Sequence, residues 1–103
     1  MYSDGNGMLV NDGGNASGTK VIKFTATWCT PCKAMVPTVD RLLAEGYAIE
    51  DKDIEQHPDL AESYGVHGVP TMILIDNDGQ EIKRHTGALT YKKFKEFFDA
   101  REG

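Results

Sequence analysis

Apolar and polar positions along this chain change period several times, and each change predicts an element. Lys20-Val21-Ile22-Lys23-Phe24-Thr25 has the β-branched and aromatic content of a strand, interrupted by Lys23. From Pro31 the spacing becomes helical. Cys32, Met35, Val36, Val39, Leu42 and Leu43 recur at three and four residues and make one apolar face. Pro37 removes a backbone donor inside this helix and predicts a kink, and Gly46 fits just past its end. Residues 47–54 alternate weakly as a second strand. A helix between two strands predicts a parallel, right-handed βαβ unit.

Pro58 is placed to open a short helix over 59–64, which Gly65 ends. Gly68-Val69-Pro70-Thr71 leads into Met72-Ile73-Leu74-Ile75, an unbroken apolar run that predicts a strand buried on both faces. Asn77-Asp78-Gly79 is a hairpin turn, and residues 80–86 return as an antiparallel strand. Gly87-Ala88-Leu89 bends the chain. Thr90 then caps a last helix with Tyr91, Phe94, Phe97 and Phe98 on its apolar side. The order is β-α-β-α-β-β-α, an α/β fold with a central mixed sheet flanked by helices on both faces. Ahead of it, residues 1–19 read as a glycine-rich arm in which Met8-Leu9-Val10 forms a short edge strand and Asn11-Asp12-Gly13-Gly14 a turn. The expected organisation is thus an arm over 1–19 and one domain over 20–103.

Length and composition agree with a single globular domain large enough for its own core. A net charge of −5 without a cluster of Lys or Arg argues against nucleic acid and anionic membranes as partners. No apolar run reaches the ~20 residues that span a bilayer. The first seven residues carry neither a basic region nor an apolar segment, so no secretory signal is visible and a reducing cytoplasm is the expected location.

That location sharpens the meaning of Trp28-Cys29-Thr30-Pro31-Cys32-Lys33, which holds both cysteines and the one tryptophan. In a reducing compartment, a lone Cys-x-x-Cys reads as redox-catalytic or metal-binding rather than as a staple. His57, His67 and His85 match no compact zinc pattern with the cysteines, and no metal is expected. Asp76, Asn77 and Asp78 resemble part of a calcium loop but lack the later glutamate, and read as a turn. Redox chemistry explains the arrangement better. A thiolate is the nucleophile of disulfide exchange, and a free thiol near pKa ~8.5 is mostly protonated at neutral pH. Cys29 lies where backbone N–H groups at a helix start favour negative charge. Cys32 begins the inward-facing stripe. Cys29 is therefore the expected attacking thiol and Cys32 the resolving one. Pro31 fixes the backbone between them, and Thr30, preceding it, is held away from helical geometry.

Ala26-Thr27-Trp28-Cys29-Thr30-Pro31-Cys32-Lys33, followed by Pro37, resembles the active-site segment of the thioredoxin family. The likeness continues through Asp53-Ile54-Glu55-Gln56-His57-Pro58, Tyr64-Gly65-Val66-His67-Gly68-Val69-Pro70-Thr71 and Gly87-Ala88-Leu89, covering roughly residues 20–100 in the family's order. It implies the thioredoxin fold and reduction of disulfides in protein substrates by a monomer. No dissociable cofactor beyond the Cys29–Cys32 couple would be needed, and thioredoxin reductase would supply electrons. It also implies that Pro70 is a cis-proline facing the dithiol, and that Val69 offers its backbone to an extended substrate. Trp28, Gly68, Val69, Gly87 and Ala88, with Thr30 and Pro31 beside them, would form the docking rim.

Three departures accompany the likeness. Thr30 stands where the family usually has Gly, and the N-terminal portion is shortened. Lys23 stands where the family keeps a buried Asp, while Asp51 stands where it often has a Lys. The acid and base have exchanged places, and the two are expected to face each other from neighbouring strands. Lys23 would then stabilise thiolate and Asp51 accept the proton; the alternative is a Lys23 that reaches solvent along its apolar stem. The rival functions are a glutaredoxin-like protein, an oxidase or isomerase on the same fold, and a docking or assembly module whose redox turnover is incidental. Trp28 and Pro31 argue against the first.

Overall fold

The computed structural model describes residues 18–99, so the expected strand at Met8-Leu9-Val10 and the turn after it lie outside the described residues. Four strands form one sheet: β1 (Lys20–Thr25), β2 (Ile49–Asp53), β3 (Thr71–Ile75) and β4 (Glu81–Thr86). Their order across the sheet is β2-β1-β3-β4, with β1 parallel to β2 and antiparallel to β3, and β3 antiparallel to β4. This is the expected βαβ unit joined to a hairpin. β3 is buried at every position, as its unbroken apolar run requires. The turn into β4 is built by Asp76, whose Oδ1 accepts from the N–H groups of Asp78 and Gln80, while Gly79 takes a positive φ of 81°.

The helices are α1 (Thr30–Ala34), α2 (Val36–Ala44), α3 (Pro58–Ser63) and α4 (Tyr91–Phe97). What the sequence presents as one kinked helix is two, and Pro37 is the reason. Its ring nitrogen has no hydrogen to give the Lys33 carbonyl, so the ladder breaks at Met35. Met35 N–H bonds the Cys32 carbonyl at 3.1 Å, and the helix resumes with Val39 N–H on the Met35 carbonyl at 2.9 Å. Thr90 caps α4 by accepting from Lys93 N–H.

Alternation along the strands sends side chains to two cores. Val21, Ile49, Met72 and Leu74 meet Met35, Val39, Leu42, Phe94, Phe97 and Phe98 on the α2–α4 side. Ile22, Phe24, Ile73 and Ile75 meet Ala61, Leu60 and Tyr64 on the α3 side. The sheet is thus covered on both faces. Two members of the expected α1–α2 stripe do not join it: Val36 and Leu43 are 50% and 44% exposed. The break at Met35 narrows the buried face to Cys32, Met35, Val39 and Leu42. No helix among the described residues is long and apolar enough to cross a membrane.

Candidate active site

β1 ends at Thr25, and the chain turns through Ala26, Thr27 and Trp28 before α1 begins. Cys29 is the N-cap of α1, and its Sγ accepts the Cys32 N–H at 3.1 Å. A sulfur that receives a backbone N–H is favoured as an anion. Cys29 and Cys32 are joined as a disulfide, with Cα atoms 5.2 Å apart. Both are buried, at 4% and 2% exposure, so area alone does not separate them. Their surroundings do. Cys29 holds the N-cap hydrogen bond, whereas Cys32 lines an open cavity with Lys23, Asp51 and Asp53.

The loop before β3 comes up against this pair. The Val69–Pro70 peptide is cis, and Val69 packs on the cluster of Ala26, Cys29 and Cys32. Thr71 Oγ1 donates to the Gly68 carbonyl at 2.7 Å, and Gly87 N–H donates to the Pro70 carbonyl at 2.8 Å. Those bonds bring Gly68, Val69 and Pro70 together with Gly87 and Ala88. Val69 is half-buried, and its own backbone N–H and C=O find no partner among the described residues. Beyond Ala88 an open hollow of about 530 Å³ runs along α4, between His85, Leu89 and Phe97.

Trp28, next to Cys29 in the chain, is 61% exposed, and its indole N–H donates to Glu55 Oε2 at 3.1 Å. Glu55 is held in turn, its N–H donating to Asp53 Oδ1 at 2.8 Å. Sequence reasoning assigned neither residue a role. Both lie in the Asp53-to-Pro58 segment of the resemblance, where only their nearness in space to Trp28 gives them one. Thr30 is the first residue of α1, so the proline after it does not hold it out of the helix as the sequence suggests, and both Thr30 and Pro31 are exposed.

The expected meeting of Lys23 and Asp51 is found. The parallel register of β1 and β2 sets Lys23 opposite Asp51, and Nζ lies 3.0 Å from Oδ1. Lys23 is only 2% exposed, so its stem does not carry the charge to solvent; the charge is met where it is buried. One register step nearer the cysteines, Thr25 stands opposite Asp53. Lys23, Thr25, Asp51 and Asp53 share a sheet face, and with Cys32 and Lys33 they line a cavity of about 280 Å³. His57, His67 and His85 do not gather at this site. Among the described residues no group of three or more metal-ligating side chains occurs.

Comparison with known proteins agrees with this geometry. The thioredoxin family model matches residues 10–100. A thioredoxin of Chlamydia caviae is 43% identical over 74 residues, which are 70% of this chain and 72% of that protein. A Staphylococcus aureus thioredoxin is 36% identical over 86 residues, covering 81% and 82%. Among solved structures, a mutant thioredoxin from Halobacterium salinarum superposes with a TM-score of 0.74 at 28% identity, over 86% of this chain and 79% of that one. The fold, the joined cysteines and the relatives converge: the chain belongs to the thioredoxin family of thiol–disulfide oxidoreductases.

Proposed function

We propose that the protein is a protein-disulfide reductase, a general dithiol donor recharged by a thioredoxin reductase. The observation that carries this reading is the asymmetry of the cysteine pair: Cys29 Sγ accepts a backbone N–H at the α1 N-cap, and Cys32 lines the cavity shared with Lys23, Asp51 and Asp53. In the reduced protein Cys29 attacks a substrate disulfide as thiolate, releasing one substrate thiolate and forming a mixed disulfide. Cys32 then attacks Cys29, the second substrate thiolate leaves, and the Cys29–Cys32 disulfide remains. Two electrons pass to the substrate without a dissociable cofactor.

Substrate chain docks on the rim of Trp28, Gly68, Val69, Gly87 and Ala88, beside Thr30 and Pro31. The N–H and C=O of Val69, without a partner among the described residues, bind it as an added strand would, next to cis-Pro70. Behind the pair, Lys23 stabilises negative charge on the thiols and Asp51 is its counter-ion. The working form is a monomer in the cytoplasm. Insulin-disulfide reduction coupled to NADPH and a thioredoxin reductase tests the reading. Rapid turnover that disappears in Cys29→Ser supports it. A folded wild-type domain without turnover supports a docking module instead.

A further inference from the structure

Within that dithiol reading, the resolving step needs a base: Cys32 must lose a proton before it attacks Cys29. Asp51 is the carboxylate that the exchange of charges first suggests, but it is already engaged. Its Oδ1 accepts from the Nζ of Lys23, a residue only 2% exposed, and that ammonium has no other hydrogen-bond partner among the described residues. A proton placed on Asp51 removes the counter-ion of a buried cation, which is among the costlier changes a protein interior can undergo.

Asp53 is differently placed. It is the next residue of β2 on the same face, opposite Thr25, at the end of the strand pair from which the chain enters the cysteine loop. It lines the same cavity as Cys32. No cation is paired with it among the described residues, where its side chain makes one hydrogen bond, Oδ1 accepting the Glu55 N–H. The other oxygen is available for a proton while the Lys23–Asp51 pair stays intact. At about 280 Å³ the cavity has room for water to bridge acid and thiol.

We propose that Asp53 is the proton acceptor of the resolving thiol, acting through water in the cavity, with Lys23–Asp51 as the fixed charge pair behind it. The Cys32 S–H bond breaks and its proton passes to the Asp53 carboxylate. The Cys32 thiolate attacks Cys29, forming the intramolecular S–S bond and breaking the mixed one. The departing substrate thiolate carries the electron pair and takes up a proton from the Asp53 carboxyl or from solvent. The charged groups facing this path are Lys23 on β1, Asp51 on β2 and Lys33 on α1, with Glu55 beyond Asp53. Lys23 and Lys33 favour the thiolate, and the carboxylates favour transfer of its proton.

The test is a single turnover of the reduced protein with a chromogenic aromatic disulfide, followed from pH 6 to pH 9. The first equivalent of released thiolate reports attack by Cys29, and the second reports closure by Cys32. Asp53→Asn is nearly isosteric and keeps an oxygen for the Glu55 N–H. It is expected to slow the second release on the order of a hundredfold near neutral pH, with the deficit shrinking as pH rises and the thiol ionises unaided. The first release should be far less affected. A second release in Asp53→Asn that keeps the wild-type rate and pH profile overturns the proposal. So does a deficit of that size confined to Asp51→Asn. If wild-type protein releases no thiolate at all, it is the dithiol reading itself that fails.

Discussion

Lys23 and Asp51 meet 3.0 Å apart across the parallel pair β1–β2, the lysine side chain 3% exposed and the carboxylate 50%. The two ends of this ion pair are therefore unequal. Removing the carboxylate strands a buried cation, whereas removing the lysine leaves a carboxylate that water can reach. Asp51→Asn is expected to lower stability by about 1–3 kcal/mol, discounted from a fully buried pair because Asp51 is half-exposed. Lys23→Met, apolar and of similar length, should cost much less and should restore most of the loss when added to Asp51→Asn. Urea unfolding of the four proteins checks this. Strictly additive losses contradict the coupling.

Phe94 is fully buried between β3 and the helices, stacked on Phe98 at 5.9 Å and edge-on to Phe97. Phe94→Ala should cost about 3–5 kcal/mol. Leu43, on the α2 surface at 44% exposure, should cost less than about 0.5 kcal/mol as Leu43→Ala. The two unfolding midpoints set a core position of α4 against a surface position of α2.

That contrast shows where the sequence was legible. Strands with one dominant pattern, such as Met72-Ile73-Leu74-Ile75, and helices opened by Pro58 or Thr90 were readable because local chemistry and burial agree there. Three of the four prolines stand in the first turn of a helix, and the fourth is the cis residue before β3. Pro37 was readable as a disruption, but not as a full break that turns Val36 and Leu43 outward, since that depends on how α1 and α2 each settle on the sheet. The facing of Lys23 and Asp51 followed from the exchange of charges along two adjacent strands. Asp53 and Glu55 were not distinguishable from the other acids of a polar stretch. Their placement depends on the β1–β2 register and on where Trp28 lies after folding.

The Trp28–Glu55 hydrogen bond gives a local probe, because Trp28 is the only tryptophan. Glu55→Ala should leave the indole untethered. Its fluorescence anisotropy should fall, and insulin reduction should slow by up to about fivefold, the scale of one exposed hydrogen bond. Unchanged anisotropy would show that packing alone holds the ring.

Acid should loosen the junction of α2 and α4. The Tyr91 hydroxyl donates to both oxygens of Glu45, at 2.7 and 2.8 Å. That bond first, with Lys95 and Arg41 adding to it, holds the Glu45 carboxyl below its usual 4.5. A depressed carboxyl contributes stability that is complete above its unfolded value and is lost as pH falls through its folded one. Tyr91→Phe should therefore be less stable than wild type at neutral pH and should lose less on acidification from about pH 5 to about pH 3. Thermal midpoints at those pH values check the sign. Parallel losses in the two proteins would assign the acid sensitivity elsewhere.

The reduction potential of the Cys29–Cys32 couple, measured by equilibration with a glutathione or dithiothreitol buffer, bears most directly on the reductase reading. A dithiol donor should lie more negative than about −230 mV, toward the about −270 mV of thioredoxin itself. Lys23→Met should be more negative still, because it removes the cation that favours the reduced, thiolate-bearing form. A wild-type value at or above about −230 mV, in the range of glutaredoxins, isomerases and oxidants, contradicts the reading.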